Sequence, residues 1–104
     1  MGKILEAFVE YISERSNILQ VVSQYTTLNR DKRFYLGRCP LHFHDHSEKN
    51  PLVVFPDENF FFCNGCKVGG DVFKFISLVE GISYFQAVEL QAQNLGIDFP
   101  DELN

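Results

Sequence analysis

Apolar residues recur at helical spacing at the start of the chain. Ile4, Leu5, Phe8, Val9 and Ile12 share one stripe, while Glu6, Glu10 and Glu14 fall off it, which predicts an amphipathic helix. Ser16 and Asn17 break the pattern with short polar side chains suited to capping, and Ile18, Leu19, Val21, Val22 and Tyr25 fill a second, shorter helix. From Thr26 the chain turns to short apolar runs. Residues 26–28 and 34–36 flank the polar run 29–33, and residues 53–55 and 60–62 flank Pro56-Asp57-Glu58-Asn59, so each pair reads as a hairpin. Alternation places Phe60 and Phe62 on one face and Phe61 on the other, so at least one set belongs to the core. After Gly69-Gly70 the helical period returns. Asp71 is placed to cap a helix with a wide apolar face (Val72, Phe73, Phe75, Ile76, Leu78, Val79) that ends at Gly81. Ser83 and Gln86 stand at capping-box spacing before a last helix with Phe85, Val88, Ala92 and Leu95, closed by Gly96. Phe73, Phe75 and Phe85 are expected in the core. The order of elements predicts an α+β fold, a small antiparallel β-sheet flanked by N-terminal and C-terminal helices.

A length of 104 residues predicts a single domain over residues 1–104. Domains this small often depend on a metal or disulfides for stability. No run of about 18 apolar residues exists, so no membrane span is expected. Glu6 interrupts the stretch where a signal peptide would need apolar residues, which points to a cytoplasmic location. The net charge of −5 is unevenly spread. Residues 1–29 hold two bases and three acids, residues 30–74 seven bases and six acids, and residues 75–104 no base and five acids. The middle of the chain is therefore a weak basic focus between acidic ends.

Three cysteines make an odd number, which argues against a disulfide framework and fits a reducing compartment with a metal site. They fall in two knuckles, Cys39-Pro40-Leu41-His42 and Cys63-Asn64-Gly65-Cys66, at zinc-ligand spacing. Two residues between ligands let a tight turn aim both side chains at one ion, and Gly65 suits a turn position needing positive φ. Cys39, His42, Cys63 and Cys66 would give one closed, tetrahedral, structural zinc with no open position for a substrate water. His46 is the rival fourth ligand, because His44 and His46 closely follow His42. That histidine cluster also suggests a two-metal hydrolase, but its spacing is one residue short and no further histidine exists to complete the site.

Over nearly its whole length the chain resembles the N-terminal zinc-binding domain of bacterial replicative DNA primases. The resemblance rests on motifs in order: Val21-Val22-Ser23-Gln24-Tyr25, Cys39-Pro40-Leu41-His42, Glu48-Lys49-Asn50-Pro51, Phe60-Phe61-Phe62-Cys63-Asn64-Gly65-Cys66, Gly70-Asp71, Phe73-Lys74-Phe75, Glu80-Gly81 and Gln86-Ala87-Val88. Against the family pattern, about four extra residues around Phe43 to His46 follow the first knuckle. Counting back from Pro51 would put His46 in the family histidine's place. Asn50 and Leu52 stand where threonine and serine are usual. The resemblance implies a zinc ribbon whose sheet contacts single-stranded template DNA and helps a separate RNA polymerase domain choose where a primer starts. A replicative helicase would be met through the parent protein. Primer synthesis belongs to the other domain: no Asp-x-Asp occurs here, so this chain alone is expected not to be an enzyme.

Single strands are bound by basic groups beside aromatic platforms. Arg33 and Tyr35, two apart on an expected strand, share a face. Arg38 has the opposite parity and joins them only if the strand bulges or ends at Gly37. Lys49 and Lys67 neighbour the two knuckles. Arg33, Tyr35, Arg38, Lys49 and Lys67 are therefore the candidate DNA contacts. A different class of function remains open, that of a free-standing zinc-ribbon module, such as one carried by a mobile element, which binds a protein through its acidic helices.

Overall fold

The computed structural model describes residues 2–41 and 51–98, with side chains from Leu5 onward. The apolar stripe at the N-terminus forms α1 (Gly2–Glu14), in which Phe8 and Ile12 are buried. α2 (Ile18–Ser23) starts at Asn17, whose side-chain oxygen accepts from the Gln20 N–H at 3.1 Å. The intervening Ser16 is buried. Its hydroxyl donates to the Ile12 carbonyl (2.7 Å) and accepts from the Gln91 side-chain amide (3.1 Å).

Five antiparallel strands follow in a meander, ordered β1 (Leu28–Asp31), β2 (Phe34–Gly37), β3 (Leu52–Phe55), β4 (Phe60–Cys63) and β5 (Val68–Gly70). The first hairpin differs from the expectation. Its strands run into the polar stretch, pairing Asp31 with Phe34, so only Lys32 and Arg33 turn the chain, with Lys32 at φ 59°. Asn29, Arg30 and Asp31 join β1 because an edge strand with exposed positions tolerates polar residues. The second hairpin falls as expected, around a single 3₁₀ turn (Pro56–Glu58) that Asn59 ends in the left-handed conformation, φ 54°.

β5 was not foreseen, since Gly69-Gly70 reads as a breaker. Its pairing explains the glycine: a Cβ at Gly69 would lie 2.6 Å from the Phe61 carbonyl oxygen and 2.8 Å from the Phe62 ring. Only a residue without a side chain lets this strand approach β4.

One face of the sheet packs on the helices. Leu52, Val54, Phe61 and Cys63 are fully buried there, and Phe61 meets the Phe75 ring edge-on at 5.3 Å. α3 (Val72–Glu80) supplies Val72, Phe73, Phe75 and Ile76; α4 (Tyr84–Asn94) supplies Ala87, Val88 and Ala92. Full burial of such a side chain contributes roughly 1.5–3 kcal/mol. Both helices have the expected caps. The Asp71 carboxylate accepts from the Lys74 N–H at 2.9 Å, and Gly81 ends α3 at φ 70°. Phe85 departs from its expectation, because on α4 it lies at the helix surface, 38% exposed.

Two phenols tie elements together. Tyr25 donates to Glu80 at 2.5 Å, and burial together with this bond pushes its pKa up to about 12. Tyr84 donates to Asp71 at 2.6 Å, with a pKa shifted upward for the same reasons.

Ser83 and Gln86 form a complete capping box. Ser83→Ala should lower stability by about 1 kcal/mol, seen as a lower thermal midpoint. An unchanged melt would mean that α4 is held by packing alone.

Candidate functional site

The sheet has two unlike ends. At one, the strands run into the connections that carry the cysteines: Cys39 lies two residues beyond β2, Cys63 is the last residue of β4, and Cys66 sits in the turn to β5. The meander thus brings residues far apart in sequence to one end of the sheet. Their Sγ atoms lie within 4.8 Å of one another, with Cys39 and Cys66 at 3.6 Å.

Each knuckle is shaped by backbone donors to sulfur. The Leu41 N–H donates to Cys39 Sγ at 3.4 Å, and the Cys66 N–H to Cys63 Sγ at 3.3 Å. The Lys67 N–H closes the second knuckle on the Cys63 carbonyl (2.8 Å). The residue there with positive φ is Lys67, at 59°, and not Gly65 as expected. Asn64 fastens this turn to the start of β3, donating its backbone N–H to the Pro51 carbonyl at 2.9 Å.

The donor set fits zinc. Tetrahedral Zn–S bonds of about 2.3 Å place sulfurs about 3.8 Å apart, close to the separations found. Burial and two adjacent thiols push the Cys39 pKa upward, so three ionised thiols would repel one another without a cation among them. A metal ion reverses that preference and ligates the thiolates. His42 and His46, the two candidates for the fourth ligand, lie outside the described residues.

The face of the sheet opposite the helices is apolar and partly open. Register places Phe34, Phe55 and Phe60 in one row across the strands, and Leu36, Val53 and Phe62 in the next. Phe34 and Phe60 are 40% and 39% exposed. The rings contact one another: Phe34 meets Phe55 edge-on at 5.1 Å, and Phe55 meets Phe60 at 6.0 Å. An exposed aromatic surface of this kind marks an interaction surface.

The five candidate contact residues do not form one patch. Arg33 belongs to the β1–β2 turn and not to a strand. It nevertheless meets Tyr35, with Arg30, Leu19 and Asp57, around a small hollow on the helix side. Tyr35 pairs with the buried Val54 and so faces away from the phenylalanine rows. Arg38 is the exposed first residue after β2 and continues the parity of Phe34 and Leu36. Lys67, also exposed, precedes β5 at the cysteine end, and Lys49 lies outside the described residues. Phe34, Phe55, Phe60 and Phe62, which line this open face, are absent from the candidates drawn from the sequence. The signal was their parity opposite to Val54 and Phe61, which became decisive only once the core face was known.

Among the described residues no helix is long and apolar enough to cross a membrane. The CHC2 zinc finger family matches residues 4–104. The DNA primase of Rickettsia prowazekii is 38% identical over 99 residues, covering 94% of this chain and 16% of the primase. That of Thermotoga maritima is 41% identical over 91 residues, covering 86% of this chain and 15% of its own length. In structure the chain resembles the crystal structure of the Aquifex aeolicus primase (zinc-binding and RNA polymerase domains). The TM-score is 0.80 at 35% identity, over 91% of this chain and 23% of that one. The chain therefore spans about a sixth of the length of the curated primases it matches. With its cysteine triad at the end of a five-stranded antiparallel sheet, it belongs to the CHC2 zinc finger family, as a zinc-binding domain of the DNA primase type.

Proposed function

We propose that the domain holds one structural zinc through Cys39, Cys63, Cys66 and His42, and lays the open face of its sheet on single-stranded template DNA. In this role it helps a primase RNA polymerase domain select the start site, and it performs no chemistry of its own. The observation that carries the reading is the run of partly exposed rings on β2, β3 and β4, with bases near both ends of the sheet. Arg38 and Lys67 flank the cysteine end, with Lys49 nearby in sequence; Arg30 and Arg33 stand at the opposite end.

Stacking on such rings tolerates any base and is worth about 1–3 kcal/mol per base. Four-stranded sheets that bind RNA stack about two or three bases in this way. Flanking bases supply phosphate contacts, which act at short range and offset the repulsion expected from a net charge of −5. A zinc with four protein ligands offers no site for a substrate water, so its part is to fix the sheet end from which Arg38 and Lys67 extend.

The test is anisotropy of a labelled single-stranded oligonucleotide across a salt series. Phe60→Ala should weaken binding roughly 5- to 150-fold. Arg38→Ala or Lys49→Ala should weaken it and reduce the slope of log K on log salt by about 0.7 per phosphate lost. Phe60 and Arg38 are exposed and can be removed without opening the core, so unchanged affinity in every variant would refute the assignment.

A further inference from the structure

A groove lies in the helical layer, on the opposite side of the sheet from the phenylalanine rows. Leu5, Val9, Phe73, Tyr84, Phe85 and Val88 line it, from α1, α3 and α4. Its rim carries Glu6, Glu10, Glu14 and Asp71 and, among the described residues, no base.

The acidic row has a spacing that calls for a partner. Glu6, Glu10 and Glu14 follow at intervals of four, one per helical turn, so their carboxylates stack along one side of α1. Like charges at this spacing destabilise the helix that bears them. Among the described residues only Arg15 approaches the row, 3.9 Å from Glu14 with both groups exposed, and its guanidinium lies over the Tyr11 ring at 3.5 Å. A helix that sets three carboxylates in line beside an apolar floor is matched by a second helix with leucine-type side chains on one stripe and lysine or arginine at the same spacing.

We propose that this groove docks a basic amphipathic helix from a partner protein. A nucleic acid is excluded by the charge of the rim. A second copy offers no such helix either: α2 and α4 hold no base, α3 only Lys74, and α1 sets its three acids against Lys3 alone. The groove is thus a protein site on one side of a domain whose other side offers rings and bases.

The probe is a labelled designed peptide of about five helical turns, with leucines on one stripe and lysines beside it, added to the zinc-loaded 104-residue chain. Saturable binding is expected by anisotropy, with a peptide carrying glutamate in place of lysine failing to bind. Glu6→Lys with Glu10→Lys should weaken binding by roughly tenfold, and Phe85→Ser should weaken it as well. Glu6 and Glu10 are exposed, so their variant keeps the fold even if Phe85→Ser does not. Oligonucleotide affinity should not fall in the Glu variant, which separates this site from the sheet face. Equal binding of the lysine and glutamate peptides, or indifference to the charge reversal, would overturn the proposal. So would self-association of the chain through the groove, detected by sedimentation and abolished by Phe85→Ser.

Discussion

Cys63→Ser should leave the chain without a cooperative thermal transition and without zinc. The side chain is fully buried, its sulfur accepts the Cys66 N–H, and it lies in the triad that brings the ends of three strands together. Structural zinc binding in small domains is worth roughly 10–16 kcal/mol. Whole domains are stable by only about 5–15 kcal/mol. Losing the metal therefore removes more than this fold can spare, and a strong chelator added to the wild type should do the same. Circular dichroism melts with zinc stoichiometry measure both effects. The fourth ligand follows from the same assay: His42→Ala should release zinc while His46→Ala retains it, and the reverse would move the ligand. A zinc-free Cys63→Ser variant that still melted cooperatively near the wild-type midpoint would make the metal an accessory.

Asn59→Ala should cost about 2–4 kcal/mol. The side chain reaches across the molecule to the junction between α1 and α2. Its oxygen accepts the Ile18 N–H at 2.8 Å, and its amide donates to the Ser16 carbonyl at 3.1 Å. Those groups are left by the break between the two helices, and nothing local satisfies them in the same way. Asn59 also holds φ 54°, a conformation asparagine tolerates better than alanine. Asn59→Gly isolates the two contributions, since glycine accepts the backbone conformation but makes neither bond. Equal losses in the two variants would assign the effect to hydrogen bonding. A glycine variant as stable as wild type would show the tie to be dispensable. Denaturant midpoints at constant m decide between them.

Local chemistry was legible in the chain. Asn17, Asp71, Ser83 and Gly81 cap helices where their types and spacing indicate, because a cap depends on a few adjacent residues. Cysteine spacing likewise indicated that the three thiols meet at one place, as they do. What needed the structure was non-local. Phe60 and Phe62 could be separated from Phe61 by alternation, but which set faced the helices depended on the packing of Leu52, Val54 and Phe75. β5 was hidden because Gly69 has its reason in the ring of Phe62 and the carbonyl of Phe61, not in its own preference. Phe85 looked like core by period, yet it lines an open groove together with residues of α1 and α3. Asn59, with partners more than forty positions away, resembled an ordinary turn residue.

The converging cysteines also bear on how freely the chain can vary in length. Cys39 and Cys63 are 24 positions apart (63 − 39), so a metal held by both closes a loop of that span. The entropy of closing a loop rises only with the logarithm of its length. Lengthening it from 20 to 24 positions costs about 0.2 kcal/mol by that relation, less than a single surface substitution often does. An insertion of about four residues in this connection would therefore cost the fold little. Beside a fixed metal, this connection is where related chains can diverge in sequence and reach while the sheet stays unchanged.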